Sequence, residues 1–181
     1  MSAREFDGTW IRAGRIWSAL ESQPLPKTDA QRGVAMQAIM EAIRVELGCN
    51  RVGLRWTAPE PVESLSDKVS PTEPATYIDT ITGREMPMPG WRTRPPAQRY
   101  ELLDRVAQHW AERDRTNVDN SDMWSSLLVH DGLVVGEVIL CRYKSRSGLI
   151  KESDRAVVRE LNDRLAALFA KWHEISVDGH E

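Results

Sequence analysis

The chain is poor in the residues that build crosslinked or metal-centred proteins. Only Cys49 and Cys141 occur among 181 residues. Two cysteines make no disulfide framework, and a structural zinc site usually needs four ligands. Both follow apolar or β-like sequence and read as small buried residues. The four histidines, His109, His130, His173 and His180, have no mutual i,i+4 spacing. No metal site is expected. There is no glycine-rich phosphate loop, no HExxH, and no paired nucleophile and base, so no catalytic residue is assigned. No apolar run approaches membrane-spanning length. The N-terminus carries charges in place of a signal-peptide core, which makes a cytoplasmic protein the expectation. A net charge of −3 lacks the basic excess of most nucleic-acid-binding domains.

Phenylalanine is scarce too, but seven tryptophans accompany the two phenylalanines. Trp is large and carries a donor to satisfy, so several must lie in a core, an interface or a pocket wall. Hydrophobic residues at 41% and charged residues at 28% are ordinary for a globular chain of one domain.

Periodicity orders the chain. Residues 4–21 place Phe6, Trp10, Ala13, Trp17 and Leu20 at helical spacing. Pro24 and Pro26 end that helix. Thr28 and Gln31 stand at capping-box spacing for a second helix, which Gly48 closes. A strand, Arg51–Trp56, alternates Val52, Leu54 and Trp56 with Gly53 and Arg55. Eight of ten prolines fall in residues 57–96, which predicts a long irregular stretch with one short strand or hairpin near 75–81. Residues 57–74 are expected to be its most mobile part, and Tyr77, Ile78 and Trp91 to anchor 75–92. A third helix is predicted at about 97–112.

The stretch from Trp124 to Trp172 organises the rest. Asp131-Gly132 separates two β-rich runs and signals a two-residue type I′ hairpin turn. Val157, Leu161, Leu165, Leu168 and Trp172 then draw one apolar helical stripe, with Ser153 as candidate N-cap and Asp154 in the positive first turn. A hairpin plus segregated helices makes the fold α+β rather than doubly wound.

A strict two-residue turn pairs His130 with Leu133, Leu128 with Val135, Ser126 with Glu137 and Trp124 with Ile139. One face then carries Leu127, Val129, Val134, Val138 and Leu140. The other carries Trp124, Ser126, Glu137, Ile139, Cys141 and Tyr143, an aromatic and polar mixture suited to a pocket wall or to an uncovered face. Arg142, Lys144, Arg146, Lys151 and Arg155 form a basic cluster read first as a solvated rim, with an anionic partner as the second reading.

Three stretches together resemble the GAF domain family: EAIRVELGCNRVGLRW (Glu41–Trp56), SSLLVHDGLVVGEVIL (Ser125–Leu140) with its Val135-Gly136-Glu137-Val138 step, and IKESDRAVVRELNDRLAALFAKW (Ile150–Trp172) with Asp154 at the usual acid. The resemblance covers roughly residues 29–172. It implies a central antiparallel sheet flanked by helices, the terminal helices on one side, and a pocket between one sheet face and the middle of the chain. The expected organisation is an N-terminal helix and linker (1–27), a GAF-like domain (28–173) and a tail (174–181). The cyclic-nucleotide signature of the family is incomplete here, and no pocket cysteine is present for a bilin. The cofactor is left unknown.

The resemblance implies a GAF-like sensory or regulatory protein, binding a small molecule, a protein partner or both, and signalling through dimerisation or docking. Trp56, Tyr77, Trp91, Trp124, Ser126 and Glu137 are the candidate ligand-binding residues. Trp10, Trp17, Phe169 and Trp172 are the candidate dimer-interface residues. No nucleic acid and no membrane is expected as partner. The alternatives are a small enzyme similar to the free methionine sulfoxide reductases, or a degenerate domain serving only as a protein-interaction adaptor.

Overall fold

The computed structural model describes residues 3–61, 75–79, 85–88 and 99–178. Five α-helices lie among the described residues: α1 (Ala3–Glu21), α2 (Asp29–Leu47), α3 (Arg99–Asp114), the single turn α4 (Lys144–Ser147) and α5 (Glu152–Asp178). Three long strands, β1 (Arg51–Pro61), β4 (Ser121–His130) and β5 (Leu133–Tyr143), make an open antiparallel sheet in the order β1-β5-β4. Two short strands, β2 (Ala75–Asp79) and β3 (Glu85–Met88), pair antiparallel on the β1 edge. The chain is thus α+β. Residues 62–74, 80–84 and 89–98 lie outside the described residues. Of the stretch 57–74 expected to be mobile, residues 57–61 continue β1; the remainder and the expected anchor Trp91 lie outside the described residues.

Local chemistry explains the element ends. Thr28 Oγ1 accepts from the Gln31 amide at 3.2 Å, and Gln31 Oε1 accepts from the Lys27 amide at 2.7 Å. The box closes one residue earlier than the ideal pattern, but it still occupies two amides at the helix start. Gly48 takes the left-handed conformation, φ 64°, that ends α2. Helix α5 begins at Glu152, one residue before the expected cap. Its start is held by Asp154, whose Oδ2 accepts from the Lys151 amide at 3.0 Å. Helix α3 ends on Arg115, at φ 53°, with the Thr116 amide donating to the Ala111 carbonyl at 2.8 Å. That is a left-handed cap built without glycine.

The sheet is covered on both faces. Helices α2 and α5 pack on one face, and α1 packs on them as an outer layer. Their core includes Ile16, Ile39, Ile43, Val52, Leu54, Val138, Leu140, Leu161 and Leu165. Helix α3 covers the other face, where Val106 and Trp110 meet Ile139, Cys141 and Tyr143. The terminal helices α1 and α5 therefore share one side of the sheet.

Phe169 and Trp172, expected at a dimer interface, are buried in the chain's own core. Their rings lie 5.0 Å apart, and Trp172 meets Trp56 edge-on at 6.5 Å. Gly136 opens room for the Phe169 ring. Phe169 lies directly on Gly136, so close that a Cβ there would sit 2.8 Å from the Phe169 ring and collide with the Arg55 carbonyl. Trp17 is half-buried, and Trp10 remains 49% exposed beside the exposed Ile11.

Two substitutions should move stability in opposite directions. Gly136→Ala should destabilise by roughly 3 kcal/mol or more, because backbone and a packed ring must both shift. Arg115→Gly should stabilise by about 0.5–1 kcal/mol by relieving the left-handed residue. Urea unfolding of both variants checks the pair; a neutral Gly136→Ala would contradict the packing described.

Candidate functional site

Residues paired across an antiparallel sheet point to the same face, so the register decides which side chains can form a site. The Asp131-Gly132 turn has both central φ values positive, 49° and 75°, as a type I′ turn requires. Beyond Val129↔Val134 the pairing steps to Leu128↔Gly136, leaving Val135 as an extra residue in β5. This β-bulge overturns the strict alternation. Glu137 pairs with Leu127, Val138 with Ser126, and Leu140 with Trp124. A one-residue shift moves one strand's side chains to the other face relative to its partner.

The six candidate ligand residues therefore do not converge. Trp124 and Ser126 lie on the face of α2 and α5, where Arg159 stacks over Trp124 at 5.8 Å and Asn162 donates to Ser126 Oγ at 2.8 Å. Trp56 shares that face. Its Nε1 donates to the Phe169 carbonyl at 3.0 Å, and the Arg32 guanidinium sits 5.0 Å over its ring. Glu137 points to the opposite face, toward α3. The Tyr77 backbone belongs to β2, and the register Gly53↔Asp79, Leu54↔Ile78 carries Tyr77 to the level of Arg55. Trp91 lies outside the described residues.

What the α3 face does assemble is a row of charge on otherwise closed ground. Arg51, Gly53 and Arg55 alternate along β1, opposite Cys141, Ile139 and Glu137 of β5. Gly53 leaves room for the Trp110 indole, 3.5 Å from where a Cβ would be. At one end Arg51 Nε donates to Asp114 Oδ2 at 2.7 Å, and its second nitrogen to Oδ1. Tyr143 Oη donates to the same carboxylate, and the Arg51 guanidinium lies 5.8 Å over Trp110. Burial works against the Asp114 carboxylate, but the Arg51 and Tyr143 hydrogen bonds and the Arg51 charge outweigh it and hold its pKa below the usual value. This couple fastens the end of α3 to the sheet. Burial and the hydrogen bond to Asp114 raise the Tyr143 pKa and keep the phenol protonated.

At the other end of the row Arg55 and Glu137 are direct cross-strand neighbours and both buried, 3% and 1% exposed. Burial pushes the Glu137 carboxyl well above its ordinary range, against the opposing pull of the Arg55 charge. A buried ionisable couple in the middle of a sheet costs stability unless something recovers it, and strongly shifted groups of this kind concentrate at functional sites. Arg55 is not among the residues that the sequence singles out. The usable signal was the spacing of Arg51 and Arg55 on one strand face, flanking a glycine.

The cysteines fit no redox centre. Burial raises Cys49 to about 11 and Cys141 to about 12, so neither supplies a thiolate nucleophile near neutrality. Cys49 follows the Gly48 cap of α2 and Cys141 lies in β5, in different packing groups. No cluster of metal-ligating side chains is found among the described residues. Of the basic cluster, Lys144, Arg146 and Lys151 are exposed as expected. Arg142 is a correction, since it turns inward and donates to Asp154 Oδ2 at 3.0 Å and to the Ser147 carbonyl at 2.9 Å. No helix among the described residues is long and apolar enough to cross a membrane.

The geometry defines the class: an α+β protein with an antiparallel sheet and a buried Arg–Glu couple on the sheet face that α3 packs on. No known family model matches the chain, and it has no significant match among curated proteins.

The raised Glu137 pKa has a definite pH signature. The unfolded chain ionises this carboxyl near 4.5, whereas the folded chain resists ionisation until higher pH. Its protonated form thus contributes stability below 4.5, and that contribution is lost as pH rises toward the folded pKa. Glu137→Gln removes the titration. The variant should therefore gain stability relative to wild type as pH increases from 4.5 to 7, whatever constant offset arises from Arg55. Parallel urea titrations across that range check it; a pH-independent difference would contradict it.

Proposed function

We propose that the chain is a GAF-like sensory or regulatory protein that binds a small molecule over the α3 face of its sheet. The buried Arg55–Glu137 couple carries this reading. It stands on the sheet face away from the α2–α5 layer, beside the strand edge from which the proline-rich middle of the chain departs. An occupant of this site would be small and partly apolar, with a donor or cation for Glu137 and an acceptor for Arg55. The α+β order, the antiparallel sheet and the shared side of α1 and α5 support the family resemblance.

Output through dimerisation or docking is part of the same proposal. Helix α1 forms the outermost layer, so its exposed Trp10 and Ile11 can be covered only from outside that layer. The adaptor reading has its own support in Val34 and Val45, which add exposed apolar surface on α2. A homodimer using Trp10 and Trp17 is the expected assembly.

Thermal-shift screening of a metabolite library, with native mass spectrometry of the purified protein, tests the ligand. A true ligand should raise the melting temperature of wild type, with the shift reduced at least about tenfold in apparent affinity by Glu137→Gln or Arg55→Gln. Light scattering at micromolar concentration tests the assembly. The wild type should be dimeric and Trp10→Glu monomeric with an unchanged melting profile of the monomer. A wild-type monomer at that concentration would sink the dimer.

A further inference from the structure

Two adjoining clefts flank the strap Gln23–Pro26 that links α1 to α2. One, of about 200 Å³, lies between the strap, the end of α1, α2 and the second half of α5. The other, of about 280 Å³, lies on the α2 side of the strap and includes Ala30 and Val34. Ala35 lines both. The smaller cleft is walled by Trp17, Leu20, Ile39, Leu168 and Trp172, with Glu21 the one acidic residue on its lining.

Its walls are held in place rather than free to collapse inward. Trp17 Nε1 donates to Glu21 Oε1 at 2.6 Å, and the Arg164 guanidinium stacks on the Trp17 ring at 5.4 Å. Pro24 and Pro26 fix the backbone of the strap at two of its four residues. Glu21 is therefore a carboxylate at the edge of an aromatic, aliphatic cleft. Its hydrogen bond comes from the Trp17 indole, while Arg164 engages the indole ring.

We propose that this cleft binds a small lipophilic amine, with its alkyl or aryl body against Trp17, Leu168 and Trp172 and its ammonium on Glu21. Charge complementarity selects this class. The apolar walls reward burial of a hydrocarbon, and among the described residues the Glu21 carboxylate forms no ion pair. An alcohol of the same length retains only the burial, and a carboxylate meets repulsion. The site is separate from the α3 face, from which the sheet and the α2–α5 layer divide it.

Isothermal titration of the full chain at neutral pH with octylammonium chloride, 1-octanol and sodium octanoate, all below their aggregation limits, tests the assignment. Octylammonium should bind saturably and roughly fivefold more tightly than octanoate. Glu21→Gln should remove that preference while octanol binding persists. Ala35→Leu, whose added carbons enter both clefts, should weaken all three by about tenfold. Glu137→Gln should change none of them, which separates this site from the α3-face proposal. Absence of saturable binding by octylammonium, or an ammonium preference that survives Glu21→Gln, would overturn it. So would a folded Ala35→Leu that binds like wild type. If Ala35→Leu fails to fold, the exposed Glu21→Gln decides alone. Octylammonium binding that disappears as the chain dimerises would assign the cleft to a second copy instead.

Discussion

The buried carboxylate of Asp154 is the joint on which the three-helix side of the molecule depends. One of its oxygens accepts from Arg142 at the end of β5 and from the Lys151 amide that opens α5. The other accepts from Arg12 of α1 at 3.2 Å. Arg12 also reaches the Glu46 carbonyl near the end of α2, and Arg142 donates to the Leu47 carbonyl. A single acid thus ties the outer helix, the end of the second helix, the central strand and the closing helix. Charges taken this far from water are stabilising only when their donors and acceptors are satisfied, and loss of one member strands the others. It also fixes the level of α1 along α5, which places Trp17 opposite Arg164 and forms one wall of the cleft by the strap.

The two faces of the sheet solve different problems. The α2–α5 face is closed by aliphatic and aromatic packing, and its polar contacts include those of Asp154, Asp122 and Trp56. The α3 face instead buries Arg51, Arg55 and Glu137. One arginine is neutralised by Asp114 and serves attachment. The other stands beside a carboxyl whose ionisation burial opposes. A sheet that needed only to be covered would be more stable with apolar residues at these positions. That asymmetry is why the α3 face, rather than the better-packed one, carries the functional proposal.

Much of this architecture was legible in the residues. Thr28, Gln31 and Gly48 bounded α2 because capping is a local negotiation between a side chain and the first or last amides. Asp131-Gly132 marked the hairpin because few residues tolerate two successive positive φ angles. The apolar stripe from Val157 to Trp172 marked α5 because helical periodicity needs no knowledge of the partner surface. The candidate site was read less well. Trp124, Ser126 and Glu137 were grouped by strict alternation, and one extra residue at Val135 separated them onto two faces. Gly136 inside a strand was the local sign of that irregularity.

Sequence alone determined the elements, the turn and the α+β class, since each follows from short-range sterics, hydrogen bonding and hydrophobic period. Tertiary structure alone decided which faces were buried and by what. Whether Arg51 meets water or the interior depends on Trp110 and Asp114 of α3, more than fifty residues further along the chain. Whether Phe169 is exposed or core depends on the missing side chain of Gly136 on the strand it packs against. Such contacts join residues whose spacing in sequence carries no period, so only the packed chain reveals them.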